Sequence, residues 1–350
     1  MDGRLCEIID RLATERSLSH KEYEYLIRER DGEAAERLRS LAVAERVRHY
    51  GRGVFVRGLI EISNICKNDC YYCGIRRSNV GCERYRLTAE EILACCEVGY
   101  GLGLRTFVLQ GGEDGYFDDG RLCEIVARIK ARYSECALTL SMGERSRESY
   151  ERLFSAGADR YLLRHETAGR EHYGRLHPKE MSFDGRMECL RMLREIGYQT
   201  GCGFMVGSPY QTEADIARDL KFIEEFGPEM CGVGPFIPHK ATPFAHFPAG
   251  GVELTCYLLS IIRLIRPTVL LPATTALGTA MEGGRELGIL SGANVVMPNL
   301  SPPEDRAKYE LYDNKLHSGS ESAEALGELE ARMRAIGYEI DYGRGDAKEI

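Results

Sequence analysis

From residue 54 onward, short apolar runs rich in β-branched residues alternate with longer stretches of helical spacing, and few folds accommodate that order. The strand-like runs cover 54–63, 106–110, 137–141, 160–163, 199–206, 231–235, 269–272 and 294–297, eight in all. Strict alternation predicts parallel strands joined by helices, and eight of them close into a complete (β/α)8 TIM-type barrel, an α/β fold. An open doubly wound sheet with fewer strands is the competing architecture. Thr88 with Glu91, and Thr212 with Asp215, form capping-box starts for two of the connecting helices. Ahead of the alternation, Leu5, Ile8, Ile9 and Leu12, then Leu38, Leu41, Ala44 and Val47, follow helical spacing. The expected division is an N-terminal helical extension over 1–50, then the barrel with a C-terminal helical cap over 51–350.

Chemistry in a parallel barrel gathers at the C-terminal ends of its strands. The loop after the first run carries Cys66, Cys70 and Cys73 in the spacing C-x3-C-x2-C, with Tyr72 directly before the third. Three soft thiolates on one loop suit a single 4Fe-4S cluster whose remaining iron is open to a small chelating molecule. Zinc usually takes four ligands, often as paired C-x2-C units; here the nearest fourth, Cys82, lies nine residues on without a second pair. Isolated thiols are the other alternative. Thirteen scattered cysteines, an odd number, fit a disulfide framework poorly and read as reduced thiols of a cytoplasm. A net charge of -8 argues against a nucleic-acid partner. No run approaches the ~18 apolar residues of a membrane helix. The start, Met1-Asp2-Gly3-Arg4, leads into an amphipathic helix instead of an apolar signal segment.

Other strand ends carry polar clusters. Gln110-Gly111-Gly112-Glu113 closes the second run, where glycines let backbone approach a ligand and a carboxylate can accept from an ammonium. Alone, Gly-Gly-Glu is an ordinary turn. The fourth run ends in Arg164-His165-Glu166; a charged cluster at a buried strand end is costly unless paired. Solvated surface charges are the bland alternative, but Tyr161-Leu162-Leu163 just before suggests emergence from the barrel interior.

The cysteine spacing with its aromatic resembles the signature of the radical S-adenosylmethionine (radical SAM) superfamily. The strings GADRYLLRHETA, GVGPFIPHKATPFA, PATTALGTA with GGRE, and GANVVMPN resemble the HydE family of FeFe hydrogenase maturases, over a stretch from about residue 58 to 303. That resemblance implies a full barrel with an internal cavity: cluster and SAM at its top, an anion-binding substrate region below. Matched position by position, it implies SAM binding by Tyr72, Gly111, Gly112, Glu113, Ser141, Glu166 and Arg186. It implies a substrate cavity of Arg164, Thr274, Thr275, Met230 and Met297, although simple core packing accounts equally well for the methionines. His165 reads as structural, fixing its charged neighbours. The implied activity is reductive cleavage of SAM to a 5'-deoxyadenosyl radical in assembly of the hydrogenase H-cluster. The implied substrate is a small organometallic iron-cysteine complex bearing carbonyl and cyanide, attacked at sulfur. Implied partners are the tyrosine-cleaving radical SAM maturase, the GTPase scaffold maturase and an external electron donor.

Two departures stand out. The family often reads Gly-aliphatic-Pro-Gly-Gln-Thr after the fifth strand, whereas this chain has Tyr210 at the second glycine, which must avoid φ > 0 or bear strain. Some members carry cysteines for an accessory cluster near the C-terminus; here the last is Cys256. Among rivals, a biotin synthase needs a second cluster inside the barrel. Cys136 and Cys202 each fall one residue from the required positions, and Thr274 stands near the place of its arginine. A methylornithine synthase is a nearer rival. A noncatalytic iron-sulfur scaffold would keep the cysteines without cleaving SAM.

Overall fold

The computed structural model describes residues 2–317 and 319–348. Three helices open the chain, α1 (Gly3–Glu15), α2 (His20–Arg28) and α3 (Gly32–Tyr50), their first turns capped by the side chains of Asp2, Ser19 and Asp31. They are followed by β1 (Gly53–Val56), β2 (Gly58–Ser63), α4 (Ala89–Gly101), β3 (Thr106–Gly111), α5 (Asp119–Arg132), β4 (Ala137–Ser141), α6 (Arg147–Ser155) and β5 (Arg160–Leu162). Next come α7 (Arg170–Leu176), α8 (Phe183–Ile196), β6 (Gln199–Cys202), β7 (Met205–Val206), α9 (Glu213–Phe226), β8 (Met230–Cys231) and β9 (Gly234–Pro235). The chain continues through α10 (Val252–Ile265), α11 (Thr275–Ala280), α12 (Gly284–Leu290), β10 (Val295–Val296), α13 (Pro303–Arg306), α14 (Leu326–Ala335) and β11 (Glu339–Asp341).

A continuous parallel ladder runs β2-β3-β4-β5-β6-β8. Single parallel bridges then carry the sheet around: Met230 to Leu270, Pro272 to Val295, and Asn299 back to Leu59 on β2. The sheet closes on itself as the eightfold alternation requires. The capping boxes at Thr88–Glu91 and Thr212–Asp215 both form.

Several strands differ in detail from the runs read in the sequence. The first is two strands, broken at Arg57: β2 pairs with β3, while β1 pairs with β10 and with the unforeseen C-terminal strand β11. The fifth and sixth are also interrupted. There Gly203 and Gly232 bring two backbones so close that a Cβ on Gly203 would lie 2.0 Å from the Gly232 carbonyl oxygen. The seventh, 269–272, makes bridges and no ladder; Pro272, without an N–H, cannot extend one.

Alternation along the strands separates two environments. Ile60, Ile62, Leu109, Leu138 and Leu140 join the large apolar core under the helices. Their neighbours Glu61, Gln110 and Ser141, in register across β2, β3 and β4, therefore line the barrel interior. The opposite end, where strands begin, is sealed by the tail after β11. Arg160 donates to the carbonyls of Arg344 (2.9 Å) and Gly345 (3.0 Å) and to Asp346 (2.7 Å), Thr106 to Arg344 (2.8 Å), and Gln199 to Asp346 (2.9 Å). Among the described residues no helix is long and apolar enough to cross a membrane.

Candidate cluster and cofactor site

The cysteine loop follows β2 and is held from within. Arg84 gathers four carbonyl oxygens, of Asn64 (2.5 Å), Ile75 (2.8 Å), Arg76 (2.7 Å) and Asn79 (3.2 Å). Asp69 accepts from Arg76 (2.8 Å) and Ser78 (2.7 Å), which holds its carboxyl far below the usual range. Two glycines are sterically required. A Cβ on Gly112 would lie 2.3 Å from the Ile65 carbonyl oxygen, and one on Gly74 2.1 Å from that of Glu310.

Burial pushes the Cys66 and Cys70 thiols up and Cys73 to about 12, and neighbouring thiolates push Cys70 and Cys73 further. Three half-buried thiols on one loop ionise together at a cost that a cation between them offsets. That donor set fits an iron-sulfur cluster, whose irons supply the missing positive charge.

Around the loop stand groups that sequence reading missed. The Met181 sulfur lies 3.6 Å from the Cys70 sulfur. The Tyr72 hydroxyl meets His177 Nε2 at 3.1 Å; since His177 Nδ1 faces the Tyr173 carbonyl (3.0 Å) and carries the proton there, Tyr72 donates. Burial first, then the nearby Arg186 charge, lower His177 to about 3, so its ring is neutral. His239 Nε2 lies 3.5 Å from Glu310 and 3.8 Å from Asp313, a trio close enough to hold a metal ion. Its Nδ1 accepts from the Ala241 N–H (3.0 Å), so the proton sits on Nε2 and faces the carboxylates. The trio packs against Gly74, where a Cβ would lie 2.5 Å from His239 Cδ2.

The strand ends are chained together. Glu113 pairs with Lys67 (3.1 Å) and accepts from the Glu144 N–H (3.0 Å). Gly143, at φ +73°, leaves room for it, because a Cβ there would lie 2.1 Å from Glu113 Cγ. Arg186 donates to Glu144 (2.5 Å) and to the Arg164 carbonyl (2.7 Å), joining the ends of β4 and β5. Burial penalises its charge, but Glu144 and the phenols of Tyr173 and Tyr72 outweigh that and raise its pKa. Glu166 stands at φ +65°, a conformation costly for a residue with a Cβ. Its N–H bonds the Gly203 carbonyl (3.0 Å), while buried His165 accepts from the Gly203 N–H (3.2 Å) and lies 3.3 Å from Asp219. His165 thus pins the strained turn.

Arg164 Nη2 approaches Glu166 Oε2 at 3.2 Å without hydrogen-bond alignment, and both atoms, with Arg164 Nε, Thr139 Oγ1 and Thr274 Oγ1, are buried without hydrogen-bond partners. Such atoms are costly unless a ligand satisfies them. Thr275 donates to Glu321 (2.9 Å). Ser141 and Gly111 lie on neighbouring strand ends, beside Gln110, whose amide reaches the Tyr309 hydroxyl (3.4 Å). Glu61, fully buried, accepts from Lys315 (2.6 Å) and Asn299 (2.8 Å). A charge inside the apolar run GLIEIS is the signal that could have found Glu61. The structure does not bring Met230 to the mouth. It starts β8, where Arg57 donates to its sulfur (3.2 Å), in an apolar cluster with Leu270 and Val295 against which Met297 packs. Tyr210 takes the strained option, at φ +66°, with Arg175 over its ring at 5.1 Å and Phe247 edge-on at 5.2 Å. Cys136 and Cys202 pack in the core under the helices, off the interior face.

The sequence profile of the Radical SAM superfamily matches residues 60–223. The chain is 46% identical over 281 residues to the [FeFe] hydrogenase maturase subunit HydE of Thermotoga maritima, covering 80% of each chain. It is 32% identical over 288 residues to the 3-methylornithine synthase of Methanosarcina barkeri, covering 81% of this chain and 80% of that one. A crystal structure of methylornithine synthase superposes with a TM-score of 0.82 at 27% identity, over 95% of this chain and 97% of that one.

Proposed function

The chain belongs to the radical SAM superfamily and to its HydE branch of hydrogenase maturases, and from that membership we propose that Cys66, Cys70 and Cys73 hold one 4Fe-4S cluster beside a SAM site. Bound there, cluster and SAM supply the reductive cleavage that releases methionine and a 5'-deoxyadenosyl radical. The residues of the chain bind, orient and exclude water. Gly111 and Gly112 let the backbone approach SAM, and Tyr72, Glu113, Ser141, Glu166 and Arg186 flank it. Neutral His177 fixes the Tyr72 ring by accepting from its hydroxyl. The tail at the strand starts closes the barrel's other end, keeping the interior dry.

The substrate we propose is a small iron-cysteine complex bearing carbonyl and cyanide, attacked at sulfur, on the way to the diiron precursor of the H-cluster. One observation carries the substrate reading: Arg164 and Thr274 leave buried donor groups unpartnered at strand ends, and Thr139 leaves another midway along β4. A guanidinium and hydroxyls so placed suit a carboxylate in low dielectric. The tyrosine-cleaving maturase would deliver the substrate, the GTPase scaffold maturase would take the product, and the setting would be a cytoplasm. The higher identity to HydE favours this over 3-methylornithine synthesis.

The test separates the two sites. A charge-assisted hydrogen bond is worth roughly 1.5–3 kcal/mol, or about ten- to hundredfold. Arg164→Leu is expected to lose that much hydrogenase activation while SAM still perturbs the reduced cluster's paramagnetic spectrum. Glu166→Gln is expected to weaken SAM binding first. Parallel loss of both properties in both variants would contradict the division of labour.

A further inference from the structure

The Tyr173 side chain is 2% exposed, and its hydroxyl is buried without a hydrogen-bond partner. The ring stacks on His177 with centroids 4.0 Å apart and planes at 26°, and His177 in turn meets the Tyr72 hydroxyl at 3.1 Å. The Leu176 carbonyl, at the end of α7, accepts from the Tyr71 N–H (3.0 Å), which ties this helix to the stretch between Cys70 and Cys73. The Tyr173 ring is also edge-on to Phe183 at 5.6 Å. Phe183 and Arg186 stand three residues apart on α8, hence on one face of it. Tyr173 is thus wedged between the cysteine loop and the helix face that bears Arg186. Burial keeps the phenol protonated, and the charges of Arg186, Glu144, Cys70 and Glu166 all reach it. A phenylalanine would supply the same packing. The hydroxyl is costly to bury unless something accepts from it.

The surrounding donors and acceptors decide what that acceptor is. Arg186 gives Nε to Glu144 and Nη1 to the Arg164 carbonyl, and its Nη2 has no hydrogen-bond partner among the described residues. Glu113 and Glu166 are acceptors, suited to the ammonium and the ribose hydroxyls of SAM. A phenol and a guanidinium are donors, suited to its carboxylate. We propose that Tyr173 is a further SAM-binding residue, its hydroxyl donating to the carboxylate of the methionine moiety beside Arg186. The proposal rests on the reading of the cluster and SAM site given above. A neutral donor next to a cationic one fixes the orientation of the carboxylate without adding a second buried charge.

The experiment uses anaerobically reconstituted protein with its cluster oxidised, so that no cleavage occurs. Equilibrium dialysis gives the Kd of SAM, and competition gives that of decarboxylated SAM. Tyr173→Phe keeps the ring and its stacking. It is expected to raise Kd for SAM about tenfold, to change that for decarboxylated SAM by no more than about twofold, and to leave iron content unaltered. SAM bound as tightly as by wild type would overturn the proposal. So would equal weakening of both ligands, which would assign the hydroxyl to the fold or to another part of SAM. Loss of iron, or a changed paramagnetic spectrum of the reduced protein without SAM while SAM affinity is kept, would turn the hydroxyl toward the cluster and overturn it as well. Wild-type protein that carries its cluster and binds no SAM would instead remove the functional reading beneath it.

Discussion

Glu166 and Arg164 illustrate what single residues disclose. Their identities stand in the sequence, but the φ of +65° at Glu166 and the 3.2 Å approach without a hydrogen bond are visible only in three dimensions. The three cysteines were legible because their spacing is local. The Glu61–Lys315 pair was not, because its members lie 254 positions apart. A buried ion pair of that kind is weak evidence for stability, and it serves here to bring the segment carrying Tyr309 down onto the barrel interior. His177 yields a prediction in pH. Its pKa falls from an ordinary 6.5 to about 3 on folding, by burial and then by Arg186. Between those values the unfolded chain binds the extra proton, so the stabilisation is complete above 6.5 and is lost as pH falls toward 3. His177→Gln, which keeps an acceptor for Tyr72, is expected to show a flatter fall of Tm from pH 6.5 to 4.5 than wild type. Parallel profiles would contradict this.

Elements were read more securely than their edges. Both capping boxes and the order of strand and helix followed from local pattern. The breaks at Arg57 and Gly203 did not, because they answer to partners elsewhere: β11 at the far end of the chain and the Gly232 backbone. Residues 269–272 read as a strand by composition, yet Pro272 limits them to bridges. Where β3 ends, the constraint is steric. Alanine at position 112 would press its Cβ to 2.3 Å from the Ile65 carbonyl oxygen and 2.8 Å from the Cys66 Cβ. Backbone and a proposed cluster ligand cannot both yield. Gly112→Ala is therefore expected to lose most of its iron after reconstitution, while far-UV circular dichroism still reports the barrel. Full iron content would show that the loop has slack this geometry denies.

At the scale of the whole molecule, the alternation after residue 54 sufficed to expect a closed barrel, and the bridges from Met230 through Leu270, Pro272, Val295 and Asn299 to Leu59 complete it. The tail that plugs the strand starts was not legible, since its role depends on Arg160, Thr106 and Gln199 meeting it from three separate strands. Closed at one end and carrying the cysteine loop at the other, the barrel has a single chemical end. The central claim is that Cys66, Cys70 and Cys73 hold one cluster there to which SAM binds. Paramagnetic resonance of dithionite-reduced, reconstituted protein, recorded with and without SAM and paired with iron analysis, tests it most directly. The expected result is about four irons per chain, a spectrum that shifts on adding SAM, and loss of both in the triple Cys→Ala variant but not in Cys82→Ala. Iron retained by the triple variant, or a cluster spectrum indifferent to SAM, would contradict the account.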